Sequence, residues 1–338
     1  MSEKRGIAVI GAGAWGTALG MLLAEKDKFT VTMWSFEPDV ADSINEVHQN
    51  RYLSGIRLPD ALRAEADLSK ALKGASVVLS ASPAQVVREV MTEAAQYVSA
   101  DALVVSASKG IENETLLRMD EVLGQILPEQ SMERFCVLSG PGFAKEVASH
   151  APTAVVIAGR TTEVANEAQD IFQTPYFRIY TSTDIVGVEL GGALKNVVAL
   201  AAGIASGLGY GHNTIAAVIT RGLAEITRLG VAMGGDRATF SGLAGMGDLL
   251  LTCTGDLSRN RTVGYRLGRG ESLREILSDM KAVAEGVKTT ESVYELAKGR
   301  GVEMPFVEQV YGILNNHVKP ADALEALMLR EPTSEEWQ

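Results

Sequence analysis

The stretch Gly6-Ile-Ala-Val-Ile-Gly-Ala-Gly-Ala-Trp-Gly16 decides how the first half of this chain folds. Apolar residues lead directly into the pattern Gly11-x-Gly13-x-x-Gly16, which predicts a strand, a tight turn and a helix containing Thr17–Leu23. Gly11 permits the turn, Gly13 lets backbone approach a pyrophosphate, and Gly16 lets the helix pack against the strand. Because the first N–H groups of a helix lack partners, we predict that this turn binds the phosphates of a nucleotide. A glycine-rich turn in any α/β protein would share part of the pattern.

The composition of the chain narrows the classes of protein to consider. At 338 residues it is longer than a single core usually grows, so we expect two domains. A net charge of −11 argues against nucleic acid or an anionic membrane as the main partner. We recognise neither a signal peptide nor an apolar segment of about 18 residues, so we expect no stable membrane insertion. Cys136 and Cys253 lie in apolar or small-residue surroundings, which favours reduced, partly buried thiols and, with the other features, the cytoplasm.

Short Val- and Ile-rich runs alternate with helical patterns as far as about residue 182, which predicts a largely parallel, doubly wound sheet. The predicted strands are Ile7–Ile10, Phe29–Trp34, Ser76–Ser80, Leu103–Ser106, Cys136–Leu138, Ala154–Ala158 and Phe177–Tyr180. After Asp184 the apolar spacing predicts only helices, at Glu189–Ser206, Thr214–Met233, Leu273–Lys281, Thr289–Gly299, Pro305–Asn315 and Pro320–Leu329. The fold class is therefore α/β, with an N-terminal Rossmann-like domain over residues 1–188 and an all-α domain over residues 189–338. Within the second domain, segment 234–270 carries nine glycines between predicted helices and is predicted to be a loop-rich connection.

The end of the second predicted strand, Trp34-Ser-Phe-Glu37, lies about twenty residues past the glycine turn, where a Rossmann fold meets the adenosine ribose. Glu37 could accept hydrogen bonds from ribose hydroxyls, as expected for NAD. It could equally cap the following helix, which has Pro38 in its first turn. No Arg or Lys occupies this turn to pair with the 2′-phosphate of NADP, which argues mildly against strict NADP dependence.

Two further turns bring polar groups to the carboxyl edge of the predicted sheet, where open α/β sheets bind ligands. Lys109 follows the strand that ends at Ser106 and would face the ligand crevice, although a lysine at a strand end is more often a solvated charge. The run Gly140-Pro-Gly142-Phe joins another strand to a predicted helix, so its backbone amides could also face an anion.

One lysine lies inside a strongly apolar predicted helix, Val188-Glu-Leu-Gly-Gly-Ala-Leu-Lys195. Such a lysine must be paired, extend its amine to the surface, or be functional. Burial disfavours the charged form, so it lowers the pKa of a lysine and makes a neutral amine available as a general base. The residues alone support a functional role and a surface-reaching amine equally.

The glycine-rich segment contains a polar and basic cluster that could bind a phosphate. Asp248 is followed by Ser258-Arg259-Asn260-Arg261, and guanidinium groups bind phosphate oxygens in pairs while Ser and Asn add neutral donors. The two arginines could instead decorate a solvated turn. The four histidines are scattered and show no metal-ligand spacing, so we predict no metal site, and no GxSxG or HExxH is present.

Over nearly its whole length the chain resembles one family, the bacterial NAD(P)-dependent glycerol-3-phosphate dehydrogenases, in seven motifs that occur in the same order. The motifs are GAGAWGTA, SKGIE, GPGFAKE, VELGGALKNVVALAAG, ITRGLAE, GLAGMGDLLLTCTGDLSRNR and AEGVKTTESV. The resemblance implies a Rossmann domain, an all-helical second domain, a homodimer and NAD or NADP as cofactor. It also implies reversible reduction of dihydroxyacetone phosphate, a phosphorylated triose, to sn-glycerol 3-phosphate for glycerophospholipid synthesis.

The resemblance also implies roles for individual residues. Lys195 matches the family's proton acceptor, and Lys109 matches a lysine shared by cofactor and substrate. The substrate pocket corresponds to Gly140, Gly142, Lys195, Asp248, Ser258, Arg259 and Asn260. The cofactor contacts correspond to the three glycines of the first turn and to Ala14, Trp15, Phe36, Lys109, Ala144, Arg259, Val283 and Glu285.

The chain departs from the family pattern at two positions. Phe36 stands where Arg or His is frequent, so a contact to the 2′-phosphate of NADP is missing and the choice between NAD and NADP is open. Gly142 stands where Ser or Thr is usual, so a hydroxyl that could touch the substrate is absent. Two alternatives remain at this point, a dehydrogenase for hydroxy-carboxylates and a nucleotide-sensing protein without catalysis. The basic cluster favours phosphate over carboxylate, and the joint presence of Lys109, Lys195, Asp248 and Arg259 favours catalysis.

Overall fold

The computed structural model describes residues 4–280, 284–315 and 318–331. By its own packing the chain divides into two units. The first, the nucleotide unit, comprises residues 1–109 and Arg118–Ile185, and the second, the helical unit, comprises Gly110–Leu117 and residues 186–338.

The short segment Gly110–Leu117 departs from the single boundary near residue 188 that the sequence predicts. Its Ile111 is buried in the core of the helical unit, and Ser292 donates a hydrogen bond to the Asn113 side chain over 2.7 Å. The chain therefore enters the helical unit, returns to the nucleotide unit, and leaves it again after Ile185.

The nucleotide unit is built on an eight-stranded sheet in the order β3-β2-β1-β4-β5-β6-β7-β8. Its strands are β1 (Arg5–Ile10), β2 (Phe29–Trp34), β3 (Arg63–Glu65), β4 (Ala75–Ser80), β5 (Leu103–Ser106), β6 (Phe135–Ser139), β7 (Thr153–Gly159) and β8 (Phe177–Ser182). The helices of this unit are α1 (Ala14–Ala24), α2 (Pro38–Val47), α3 (Leu68–Ala71), α4 (Val87–Ala94), α5 (Met119–Gly124), α6 (Glu129–Glu133), α7 (Ala144–Ala148) and α8 (Thr162–Phe172). Among the described strands only β6 and β7 pair antiparallel, so the predicted largely parallel, doubly wound sheet is confirmed.

Each of the seven predicted strands overlaps an observed one, and β3 is the strand that the sequence did not predict. It has three residues, of which only Ala64 is buried, and it pairs with the outer edge of β2. A strand this short, with a charged residue on each side of Ala64, carries no apolar alternation from which to predict it.

The helices of the helical unit are α9 (Ile185–Gly207), α10 (His212–Ala232), α11 (Arg237–Phe240), α12 (Asp248–Thr254), α13 (Arg259–Gly268), α14 (Leu273–Asp279), α15 (Glu285–Gly299), α16 (Pro305–Asn315) and α17 (Pro320–Met328). Ile185, the first residue of α9, belongs to the nucleotide unit. In the described part of this unit there is no strand, as predicted. The prediction of a loop-rich connection over residues 234–270 was wrong, because α11, a π-helical turn at Leu243–Gly247, α12 and α13 fill most of it.

The glycines of that segment serve close packing between helices. A Cβ on Gly264 or Gly268 of α13 would lie 2.1 or 2.4 Å from a carbonyl oxygen of α9. In return, a Cβ on Gly203 or Gly207 of α9 would lie 2.1 or 2.2 Å from a carbonyl oxygen of α13. The two helices therefore meet backbone to backbone, through a Gly-x-x-x-Gly pair on each, which is the geometry that such pairs permit.

Helix α9 requires a correction to the expectation that no segment is apolar enough to span a membrane. By length and composition it passes that test, with a mean hydropathy of 1.5. However, 89% of the tested window is buried within the protein, which is the position of a core helix. No membrane span is indicated among the described residues.

Candidate active site

The glycine turn has the geometry that its sequence predicts. Gly11 has φ +120°, and a Cβ there would lie 2.9 Å from the backbone of Ala81, so another residue would be strained and obstructed. A Cβ on Gly16 would lie 2.1 Å from the carbonyl oxygen of Gly11, which shows how closely α1 approaches the end of β1. Gly13, in contrast, faces open space, with no atom within 4 Å of a built Cβ.

The start of α1 fits a bound dinucleotide. Its N-cap residue is Gly13, and no side chain caps the helix, so its first N–H groups remain available to an anion. The indole nitrogen of Trp15 is buried and has no hydrogen-bond partner among the described residues. Open space at Gly13, an uncapped helix and an unpartnered donor are together what a pyrophosphate and its neighbouring groups would use.

Lys109 lies beside this turn and is not a solvated charge. Its side chain is partly buried, its ammonium donates to the carbonyl oxygen of Gly140 over 3.1 Å, and it lies 6.0 Å from the centre of the Trp15 ring. Gly142 packs against the same ring, since a Cβ there would lie 3.0 Å from the Trp15 Cη2. A serine or threonine at this position would therefore require the indole to shift, and the missing hydroxyl coincides with a close approach of Trp15.

Serines occupy the carboxyl ends of three adjacent strands. The hydroxyls of Ser80, Ser106 and Ser139, the last residues of β4, β5 and β6, are buried without a hydrogen-bond partner in the described residues. The strand register places all three on one face of the sheet. Ser108, just beyond β5, differs, because its hydroxyl donates to the carbonyl oxygen of Ser82 over 2.6 Å.

At the end of β2 the structure corrects one interpretation of Glu37. Glu37 is the N-cap residue of α2, but its side chain makes no capping hydrogen bond. Its carboxylate instead accepts a hydrogen bond from the Tyr52 hydroxyl over 2.5 Å and lies 3.4 Å from the Arg51 guanidinium. This hydrogen bond is the main cause that raises the pKa of Tyr52. Phe36 is 80% exposed, and its ring meets that of Trp34 edge to face.

Lys195 lies in the middle of α9 and is 7% exposed, so its amine does not reach the surface. The Lys195 Nζ donates to the Asp248 carboxylate over 2.6 Å and to the Thr252 hydroxyl over 2.7 Å. Asp248 is 1% exposed, and it lies one helical turn before Thr252 on α12. The structure therefore brings Lys195 and Asp248 together as a buried ion pair and adds Thr252. Thr252 could have been predicted from the sequence, because residues four apart on a helix lie on the same face, and Thr252 is four residues after Asp248.

The residues predicted for the phosphate have distinct environments at the start of α13. Ser258 is the N-cap residue, and its buried hydroxyl accepts a hydrogen bond from the Arg261 N–H over 3.2 Å. Arg259, the first residue of the helix, is exposed, and its guanidinium makes no ion pair or hydrogen bond within residues 4–280, 284–315 and 318–331. A helix N-terminus with an unpaired guanidinium is a favourable place for an anion.

Asn260 acts as a bridge between three helices. Its amide nitrogen donates to the Asn196 side chain over 2.9 Å, and its amide oxygen accepts from the Gly286 N–H over 2.9 Å. Asn196 is not among the residues predicted from the sequence, although it immediately follows Lys195. The predicted contact of Asn260 with a phosphate stays a prediction.

Of the two predicted cofactor contacts Val283 and Glu285, only Glu285 belongs to the described residues, at the start of α15. Glu285 is the first residue of this helix and is partly buried, whereas Val283 lies outside the described residues.

Both cysteines are buried and free. In the described part of the chain, no three His, Cys, Asp or Glu side chains come together as metal ligands.

Comparison with known proteins identifies the family. The profile of the NAD-dependent glycerol-3-phosphate dehydrogenase N-terminus matches residues 6–165, and the profile of the C-terminus matches residues 184–325. The glycerol-3-phosphate dehydrogenase [NAD(P)+] of Geobacter sp. (strain M21) is 54% identical over 336 residues, which cover 99% of each chain. The protein of the same description from Geobacter sulfurreducens is 52% identical over the full length of both chains.

The crystal structure of glycerol-3-phosphate dehydrogenase from Coxiella burnetii superposes with a TM-score of 0.91 at 38% identity and covers 97% of this chain and 99% of that one. These matches favour the phosphorylated substrate over the hydroxy-carboxylate alternative, and an enzyme over a nucleotide sensor. The chain belongs to the family of NAD(P)-dependent glycerol-3-phosphate dehydrogenases, and its cofactor is NAD or NADP.

Proposed function

We propose that this chain reversibly reduces dihydroxyacetone phosphate to sn-glycerol 3-phosphate with Lys195 as the proton donor and acceptor. The observation that carries the proposal is the buried contact of Lys195 with Asp248 and Thr252. A buried ammonium held by a carboxylate and a hydroxyl is fixed in position, as a proton-transferring group must be.

In the reducing direction the Lys195 ammonium polarises the C2 carbonyl of the triose and donates a proton to its oxygen. The nicotinamide supplies the hydride that C2 receives. One hydride and one proton convert the ketone to the secondary alcohol, and in oxidation the neutral amine takes the proton back. Asp248 neutralises the ammonium in the interior and orients it, while Thr252 fixes the amine from a second direction.

The phosphate of the substrate is assigned to the start of α13. Arg259 offers a guanidinium without a partner among the described residues, and the helix N-terminus offers its positive end. Ser258 shapes that terminus by capping it, and Asn260 keeps it joined to Asn196, the neighbour of Lys195. Binding the phosphate far from C2 converts binding energy into correct placement of the carbonyl.

The pyrophosphate of the dinucleotide is assigned to the turn at Gly11–Gly16, with Trp15 beside it. Lys109 is held by the carbonyl oxygen of Gly140 and lies next to Trp15, which supports a role for its charge in anion binding. Ala144 at the start of α7, Glu285 and the exposed Phe36 are further proposed cofactor contacts. Supply of glycerol 3-phosphate to phospholipid synthesis, a homodimer and a cytoplasmic location belong to the same proposal and rest on family resemblance.

The test is substitution of Lys195 by alanine. We expect turnover of dihydroxyacetone phosphate to fall about 100-fold or more, because a general acid is lost, while binding of the reduced cofactor is retained. The matched control is Lys298→Ala, which removes an exposed lysine from α15 in the same unit.

Lys195→Ala leaves the Asp248 carboxylate buried without its ammonium, which could destabilise the fold. The double variant Lys195→Ala with Asp248→Asn removes both charges and keeps the interior neutral. Unchanged turnover in either variant, with folding verified by circular dichroism, would refute the assignment.

A further inference from the structure

Four side chains form a compact charged group at the end of β2. They are Glu37, Asp39, Arg51 and Tyr52, which we call the β2-end cluster. The Arg51 guanidinium donates a hydrogen bond to the Asp39 carboxylate and lies 3.4 Å from the Glu37 carboxylate. The Glu37 carboxylate also accepts a hydrogen bond from the Tyr52 hydroxyl over 2.5 Å. Both carboxylates thus face the same guanidinium.

Asn50 ties this cluster to the glycine turn. The Asn50 side chain is buried, and its amide nitrogen donates to the Ala12 carbonyl oxygen over 2.9 Å and to the Thr17 hydroxyl over 2.8 Å. Its amide oxygen accepts from the Tyr52 N–H over 2.9 Å. Ala12 lies inside the Gly11–Gly16 turn, so one buried amide fixes the short 3-10 turn Arg51–Leu53 to the segment that receives the pyrophosphate.

The position of the cluster is where a dinucleotide-binding fold reads the adenosine ribose. An acidic side chain there accepts hydrogen bonds from the two ribose hydroxyls of NAD, whereas NADP needs a cation for its 2′-phosphate. In this chain the nearby cation is Arg51, and it is already shared between two carboxylates. With one cation and two anions, the β2-end cluster has a net charge of −1, and Phe36 beside it adds no charge.

We propose that the β2-end cluster makes this chain select NAD(H) over NADP(H). Glu37 offers its carboxylate to the ribose hydroxyls and, together with Asp39, keeps Arg51 from the 2′-phosphate. The phosphate of NADP carries about 1.5 to 2 negative charges, and it meets a group of the same sign. The inference rests on the family's use of NAD or NADP and does not depend on the role proposed for Lys195.

Isothermal titration of the full-length protein with NADH and NADPH tests this without turnover. We expect the wild type to bind NADPH about tenfold more weakly than NADH or worse, since like charges oppose each other in the complex. In the double variant Glu37→Gln with Asp39→Asn, Arg51 loses both anionic partners, and the ratio of the two Kd values is expected to move toward NADPH by about tenfold. Adding Arg51→Gln to that variant is expected to cancel the gain.

The matched control is Asp42→Asn, which removes one exposed carboxylate from the same helix α2. It is expected to leave the ratio of the Kd values within about twofold of the wild type, since an exposed charge is screened by salt. Equal binding of NADH and NADPH by the wild type, an unchanged ratio in the double variant, or an equal shift in Asp42→Asn would overturn the proposal. The ratio of Kd values is measured without turnover, so it does not depend on the activity of Lys195→Ala. The proposal for the β2-end cluster and the proposal for Lys195 can therefore be refuted independently.

Discussion

Replacing Gly264 with alanine is expected to force helices α9 and α13 apart. The new Cβ would lie 2.1 Å from the carbonyl oxygen of Leu200, and an ordinary contact of about 3.5 Å requires a separation of about 1.4 Å more. The hydrogen bond from Asn260 to Asn196, now 2.9 Å long, would then exceed the range of a hydrogen bond. Overpacking typically costs about 1–3 kcal/mol, and unpaired buried amides cost about 1–3 kcal/mol more.

The expected loss of unfolding free energy is therefore about 2–6 kcal/mol, and each kcal/mol lowers the melting temperature of a unit of this size by roughly 2–4 °C. Urea and thermal unfolding measure the loss, and kcat/KM for dihydroxyacetone phosphate is expected to fall with it because Asn260 is displaced from Asn196. Gly299→Ala is the matched control, since Gly299 ends α15 and a Cβ there has no atom within 4 Å. If Gly264→Ala unfolds within about 0.5 kcal/mol of the wild type, the backbone contact does not have the importance that we assign to it.

Two further predictions concern buried polar groups. Glu225 on α10 accepts hydrogen bonds from the N–H groups of Phe306 and Val307, and burial raises its pKa from 4.5 to about 7. The folded state therefore holds the proton of Glu225 more tightly than the unfolded state does. The contribution of Glu225 to the free energy of unfolding is greatest below pH 4.5 and is lost as the pH rises to about 7. Glu225→Gln should remove this pH dependence in urea unfolding measured between about pH 5 and 8. Ser106→Ala should be neutral or stabilising in the same assay, because its hydroxyl has no partner among the described residues, whereas Ser108→Ala should cost about 1 kcal/mol. A loss in Ser106→Ala as large as in Ser108→Ala would show that the Ser106 hydroxyl is satisfied after all.

Local pattern was sufficient to predict most of the fold. Glycine spacing and apolar runs located the first turn and seven strands, because parallel strands buried on both faces have nearly continuous apolar sequence. The same reasoning misread residues 234–270, since glycine is equally suited to a loop and to a helix that packs against another backbone. Gly264 and Gly268 are of the second kind, and only the position of α9 distinguishes the two.

The candidate site could be predicted to the extent that its residues are anomalous in their own segment. Lys195 stands out because a lysine in an apolar helix needs an explanation, whereas its contact with Thr252 joins positions 57 apart in sequence. Arg51 shows the limit most clearly. The turn at Glu37 contains no basic residue, yet the fold brings a guanidinium to it from fourteen positions downstream, through Asn50. No local motif encodes such a meeting.

The segment Gly110–Leu117 has a consequence for how the chain can be divided. Because this segment belongs to the helical unit, three peptide connections join the two units, at 109/110, 117/118 and 185/186. A fragment that starts at Val186 would lack Ile111 in its core and the partner of Ser292 on α15. Cleavage at 185/186 would separate residues 186–338 from the rest of the chain but would leave the segment Gly110–Leu117 attached to the nucleotide unit. During synthesis the helical unit receives Ile111, one of its core residues, long before its first long helix has been made.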